Sequence, residues 1–391
     1  MTVRSINNDI FSVGALHWDR RIFDELIPLP EGTSYNCYII KGNEKTALVD
    51  SVDPEKWHEL EVNLCELGIK KLDFIITNHA EQDHSGSIPM LLEKFPEAMV
   101  VTNEKCRAFE IEHLHIPENK FIVVKDNETL SLGNKTLRFL LTPWVHWPET
   151  MVTYLEEDKI LFSCDFFGSH YAGSEMYAGE NHTVIHGAKR YYAEIMMPFR
   201  TTVVKNIDKV TQFEIKMIAP SHGPIYDKPE IIIDAYRDWT SDKVKKEVLI
   251  PYVSMHGSTK IMVDYLVDRL IKKGYTVKPF NLPVTDIGEL AMSLVDASTI
   301  IIGSPMVLAG AHPAAVYSAF LANALRPKTK FVSIVGSYGW GGKMVDQLAG
   351  LISNLKVDVI EPVLVKGLPR EEDFRRLDAL IESLDEKHKK I

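Results

Sequence analysis

The chain has 391 residues, 45% hydrophobic and 25% charged, the composition of an ordinary globular protein with room for two or three domains. Its net charge of −10 argues against nucleic acid as the main partner. No apolar run approaches the roughly 18 residues a membrane helix needs, and residues 1–11 lack the apolar core of a secretory signal. The four cysteines are widely spaced, with no Cys-x-x-Cys pair, so a cytoplasmic protein is expected.

Up to about residue 240 the pattern is strand-rich. Strands are expected over 34–41, 46–50, 72–77, 99–102, 136–141, 151–155, 160–163 and 217–219, with helices over 87–95 and around 191–206. Turn residues such as Gly42-Asn43 and Gly133-Asn134 punctuate them. This mixture suggests two sheets flanked by helices.

The strand over 72–77 runs into Asn78-His79-Ala80-Glu81-Gln82-Asp83-His84-Ser85-Gly86. Two histidines and two carboxylates within six positions are costly to bury apart, so they converge on one point or face water together. Convergent imidazoles and carboxylates at a strand end suit a metal pair. His146, Asp165 and His222 each follow a further apolar run. Taken singly, each is more often a hydrogen-bonded structural residue than a ligand; the dense loop favours ligands for all seven. Strand ends are the usual place for such groups on a sheet scaffold.

Residues 240–247 are polar and charged and read as a linker, after which the rhythm changes. Strands over 248–253, 276–280, 299–303, 330–335 and 357–363 alternate with helices over 259–273, 289–294, 314–325, 343–355 and 371–387, the pattern of a parallel, doubly wound sheet. In the last helix Phe374, Leu377, Ile381 and Leu384 form a core-facing stripe. Ser254, Met255, His256, Gly257, Ser258 and Thr259 lie between the first strand and helix, where backbone N–H groups, hydroxyls and the helix dipole trap phosphate. Neither a Walker ending nor Gly-x-Gly-x-x-Gly is present, which disfavours nucleoside triphosphates and dinucleotides. Two more loops end strands on the same edge. One carries Ser304, Pro305, Met306, Val307 and Ala309, the other Ser337, Tyr338, Gly339, Trp340, Gly341 and Gly342. Tyr338 and Trp340 would cover a planar ring whose polar edge the glycines leave open. The alternative is an ordinary Gly-rich turn with a core tryptophan.

The three loops resemble those of flavodoxin, which implies FMN at the topological switch point. Ser304-Pro305-Met306 departs from the usual Ser-Pro-Thr. The motif His79-x-Glu81-x-Asp83-His84, with His146, Asp165 and His222, resembles the metallo-β-lactamase superfamily. Glu81 stands where most members have a second histidine, and that exchange resembles the flavodiiron proteins, also called rubredoxin:oxygen oxidoreductases. A carboxylate in place of an imidazole hardens the site toward iron. The flanking Trp144-Val145-His146-Trp147-Pro148 and Ser163-Cys164-Asp165 fit the same family.

The resemblance covers nearly the whole chain. It implies a metallo-β-lactamase-like αββα sandwich over 1–246 and a flavodoxin-like sheet over 247–391. His79, Glu81 and His146 would hold one iron and Asp83, His84 and His222 the other, with Asp165 bridging; some members leave the residue matching His84 off the metal. The implied activity is reduction of dioxygen to water, of nitric oxide to nitrous oxide, or both, with electrons entering at FMN. A head-to-tail homodimer, or a tetramer of two, would bring FMN of one chain beside the irons of the next. With no cysteine pair for a fused rubredoxin, the donor would be separate: a rubredoxin, or a reduced deazaflavin coenzyme. A zinc hydrolase with an appended flavodoxin domain is the alternative enzyme, and a redox or metal sensor the non-enzymatic one. Cys164 is read as a packed strand-end residue and His113 and His115 as solvated; for His170 a hydrogen bond to a ligand carboxylate is the alternative to an ordinary histidine without a role at the metals. His17, Trp18, Asp19 and Phe23 match a segment that lines the iron pocket in the family.

Overall fold

In the computed structural model, which describes residues 3–390, the chain divides between Thr240 and Ser241 into two units. In the first, one sheet has the strand order Arg4–Ser5, Ile10–Ser12, Tyr38–Lys41, Thr46–Val49, Phe74–Ile76, Met99–Thr102, Phe121–Val123. The other has Thr129–Ser131, Thr136–Leu141, Met151–Leu155, Ile160–Cys164, Met217–Pro220. The two-residue period of the strands sorts their side chains. Tyr38, Ile40, Val49 and Ile76 share a core with Leu137, Phe139, Leu155 and Phe162 of the other sheet. Ile39, Leu48, Ile75 and Val100 pack instead with Leu60, Leu64, Ile88 and Leu91 of the helices Trp57–Glu66 and Ile88–Lys94. The helices His182–Tyr191, Arg200–Val210 and Pro229–Thr240 complete an α/β sandwich.

The strand expected over 34–41 is two strands. Thr33–Tyr35 pairs with Ala15–His17, whereas Tyr38–Lys41 joins the large sheet. The break is at Asn36, whose N–H donates to the Ser221 carbonyl at 2.7 Å and whose side-chain amide donates to the carbonyls of Pro220 and Gly223. Gly14 passes so close that a Cβ there would lie 2.1 Å from the Tyr35 carbonyl oxygen. The stretch around 191–206 is not one helix: a π-turn, Tyr192–Met196, and a 3₁₀ turn, Met197–Phe199, interrupt it at Pro198.

The second unit is a parallel sheet in the order Thr276–Asn281, Lys245–Tyr252, Ala297–Val307, Phe331–Tyr338, with Asp358–Val359 and Val363–Lys366 both on the last edge. The chain runs to one side of Lys245–Tyr252 and then to the other, so a switch point lies between that strand and Ala297–Val307. Its flavodoxin-like core includes Leu377, Ile381 and Leu384 of the last helix, with Phe374 packed against it.

Four expectations are corrected here. The expected linker shrinks to 241–244, because Thr240 ends a helix and Lys245 starts a strand. The strand expected over 357–363 is split at Glu361-Pro362, since proline lacks the N–H that a ladder needs. The helix expected over 343–355 stops at Leu351. The strand expected over 299–303 runs on through Ser304-Pro305-Met306 to Val307 and then turns back, Met306 pairing with Ala311 and Val307 with Gly310. Leu308 and Ala309 make that turn with φ of 50° and 62°. Among the described residues no helix is long and apolar enough to cross a membrane.

Candidate metal centre

The loop that follows Phe74–Ile76 is pinned by Asn78. Its N–H and side-chain amide donate to the two Asp50 oxygens at 2.9 and 3.0 Å, and its Oδ1 accepts from Thr153 of the second sheet at 2.8 Å. The Asn78 carbonyl accepts from the Met151 N–H at 2.9 Å. One residue therefore ties the loop to both sheets directly before His79. The following turn, Gln82–Ser85, is held by Ser85, whose hydroxyl bonds the carbonyls of Ala80 and Glu81, and by Ser51, which donates twice to the His84 carbonyl.

This scaffold brings all seven candidate side chains together in two groups that share Asp165. Asp165 Oδ2 lies 3.4 Å from His79 Nε2 and 3.2 Å from His146 Nε2, and Glu81 Oε2 is 3.1 Å from both of those nitrogens. Asp165 Oδ1 lies 2.9 Å from His84 Nε2 and 3.4 Å from His222 Nε2, with Asp83 at 3.3 and 3.1 Å from them. These spacings have a simple meaning. Donors 2.0–2.2 Å from one cation stand roughly 3.0 Å apart at octahedral angles and about 3.4 Å apart at tetrahedral ones. The side chains of His79, His84, Asp83, Asp165 and His222 are at most 3% exposed. Among the described residues, both oxygens of Asp83, both of Asp165 and Nε2 of His84 make no hydrogen bond of good geometry. Orphaned buried anions and imidazoles at ligand spacing fit a bound cation in each group.

The electrostatics agree. Burial favours neutral rings, yet Asp165 and Glu81 hold the His146 imidazolium up to about 9, and Asp165 and Asp83 hold that of His222 up to about 10. Burial likewise opposes charge on Asp165, but His84, His146 and His222 keep its carboxyl well below the ordinary range. A set of nitrogens that binds protons this tightly offers the same lone pairs to a metal.

A cavity of about 270 Å³ opens onto the site between Phe23, Asp24, Ile27, Trp147, Tyr191 and Ile195. Burial, then Glu81 and Asp83, lift the Asp24 carboxyl to about 6. Of the N-terminal segment only Phe23 lines this cavity; His17 approaches the Tyr35 hydroxyl instead, at 3.5 Å. His170 Nδ1 pairs with the Thr33 hydroxyl at 3.0 Å and not with a carboxylate, and burial beside His222 pushes its pKa far below the ordinary value. His113 and His115 are exposed. Cys164 is buried at φ 51°, a ligand-capable thiol within 4.8 Å of donor atoms of His84 and Asp165. Sequence reasoning missed Glu149, which accepts from His79 Nδ1 at 2.6 Å; its only signal is its place directly after Pro148.

In the second unit the three candidate loops lie side by side at the carboxyl ends of adjacent strands, Tyr252 opposite Gly303 and Pro305 opposite Ser337. Thr259 and Ser337 hydroxyls meet at 3.2 Å, joining the first loop to the third. Gly257, which has no side chain to cap the helix, heads Ser258–Lys272 at φ 92°, and the Lys260 N–H of its first turn donates to the Ser254 hydroxyl at 3.1 Å. Met255 and Trp340 are exposed, so Trp340 is not a core residue. A helix N-terminus, buried hydroxyls and an exposed indole suit a phosphate and a planar ring.

A family model described as ODP family beta lactamase matches residues 33–223. The chain is 36% identical over 386 residues to a nitric oxide reductase of Moorella thermoacetica, covering 95% of each chain. It is 32% identical over 394 residues to a coenzyme F420H(2) oxidase of Methanothermobacter marburgensis, covering 97% of this chain and 96% of that one. The solved structure of a rubredoxin oxygen:oxidoreductase from Desulfovibrio gigas superposes with a TM-score of 0.94 at 31% identity, covering 97% of each chain.

Proposed function

Because the chain belongs to the flavodiiron protein family, we propose that it is an oxidoreductase that reduces dioxygen to water, nitric oxide to nitrous oxide, or both. The observation that carries this reading is the pair of ligand groups sharing Asp165, each with a carboxylate besides it, Glu81 on one side and Asp83 on the other. His79, Glu81 and His146 would hold one iron, Asp83, His84 and His222 the second, and Asp165 would bridge. Two irons would supply electrons and open positions for a diatomic gas, and FMN, held by the loops at Ser254–Thr259, Ser304–Ala309 and Ser337–Gly342, would supply one- and two-electron carriage.

The chain's own residues do the rest. Phe23, Ile27, Trp147 and Ile195 give the small cavity an apolar side, facing Asp24, Tyr191 and Glu194, with room for a diatomic gas. Asp24 brings a partly buried carboxyl into that cavity. Asn78, Asp50 and Thr153 hold the ligand loop rigid, so the donors keep their spacing.

The electron donor is proposed to be a separate rubredoxin or a reduced deazaflavin coenzyme, since the relatives named above include enzymes named for each. The working form is proposed to be a cytoplasmic head-to-tail homodimer or a tetramer of two, which shortens the electron path. Full turnover by a true monomer at high dilution would remove the assembly proposal. The zinc-hydrolase reading is not favoured by these oxidoreductase relatives. The deciding experiment is steady-state reduction of each gas by iron- and flavin-loaded protein with reduced rubredoxin as donor. Consumption of neither gas, or hydrolysis by a zinc form, overturns the proposal.

A further inference from the structure

The two ligand groups look alike at their metal-facing atoms and differ behind them. His79 Nδ1 faces Glu149 Oε1 at 2.6 Å, and both side chains are wholly buried. The same oxygen accepts from the Ala80 N–H at 3.2 Å, and Asn103 holds the Glu149 backbone carbonyl at 2.6 Å. On the other side, His222 Nδ1 donates to a neutral acceptor, the Ser34 carbonyl, at 2.6 Å, with the Thr33 hydroxyl at 3.3 Å, and among the described residues His84 Nδ1 makes no hydrogen bond, the buried Asp50 carboxylate acting on its ring only through space. A carboxylate behind an imidazole draws off the Nδ1 proton and makes Nε2 a stronger donor; a carbonyl does so less, and nothing at all does so least.

We propose that Glu149 is a positioning residue that makes the His79–Glu81–His146 side the tighter of the two metal positions, so that the sites fill in sequence. The inference rests on the metal reading above and deepens it by assigning an order and a cause. Glu149 touches no metal in this scheme; it acts only through His79.

The test uses the full-length, flavin-loaded chain, stripped of metal and titrated with Co²⁺ alone. Wild-type protein should take up two ions in separate steps. Crystals grown with one equivalent should show the anomalous peak between His79, Glu81 and His146. Glu149→Gln keeps the shape and an acceptor for Nδ1 but removes the charge. It should weaken the first step 10- to 100-fold, the loss typical of such outer partners, leave the second nearly unchanged, and spread one equivalent over both positions. Glu149→Asp, which keeps the charge, should fall between the two and serves if the Gln variant folds poorly. Equal affinities in wild-type protein, a first peak beside Asp83, or a Gln variant that binds as wild type would overturn the proposal. Failure of the wild-type chain to bind any ion at these residues would instead overturn the metal reading itself.

Discussion

Replacing Asp165 by Asn removes one negative charge from the middle of the cluster with almost no change of shape. The carboxylate is 1% exposed and lies 2.9 to 3.4 Å from four imidazole nitrogens. A unit pair at about 3 Å with an effective dielectric near 20 is worth roughly 5 kcal/mol, and removing one partner of a buried pair typically costs about 3–5 kcal/mol after relaxation. At ~2–4 °C per kcal/mol for a unit of this size, the metal-free variant should melt on the order of 10 °C lower in the transition of its first unit. The neutral amide cannot bridge two cations as an anion, so the variant should also lose metal and turnover while binding FMN as wild type does. Calorimetry of the metal-free protein and metal analysis after reloading give both readouts. An Asn variant that melts like wild type and holds two ions per chain would refute the bridging role.

Metal loading should release protons. His146 and His222 have pKa values raised to about 9 and about 10, so in the metal-free protein their contribution to stability is complete below about 6.5 and fades as pH rises through 9 to 10. A metal takes only the neutral rings. Loading near pH 7.5 should therefore expel on the order of two protons from this pair, and metal-derived stability should grow with pH; calorimetric titration in buffers of different ionisation heat measures it, and zero release would contradict it. Gly257→Val should weaken FMN binding roughly tenfold or more, because a β-branched residue at φ 92° costs about 1–2 kcal/mol. Metal content should not change, and titration of flavin fluorescence quenching checks the point.

The ligand loop was legible because its chemistry is local: two imidazoles and two carboxylates within six positions are hard to bury without a cation. The parallel sheet was legible because helix and strand periods alternate cleanly after 248. What stayed hidden depends on contacts distant in sequence. Nothing near Asn36 in the sequence announces that its amide will bond Pro220 and Gly223 and split a strand. His170 sits five residues after Asp165, yet the fold turns its Nδ1 to Thr33, 137 positions away. The extension of the strand through Pro305 was missed because proline argues against strand, although its missing N–H costs little where pairing is about to end. Glu149 was missed because a carboxylate after Trp-Pro looks like a solvated turn residue; only the fold brings it 2.6 Å from His79.

The central claim is that seven side chains from both sheets of the first unit hold two irons side by side. Anomalous diffraction at the iron edge, on crystals of protein loaded with ferrous iron, tests it most directly. The expected map has two iron peaks roughly 3.5–4 Å apart, flanking Asp165, one beside His79, Glu81 and His146 and one beside Asp83, His84 and His222. A single peak, or iron bound only elsewhere on the chain, would contradict it.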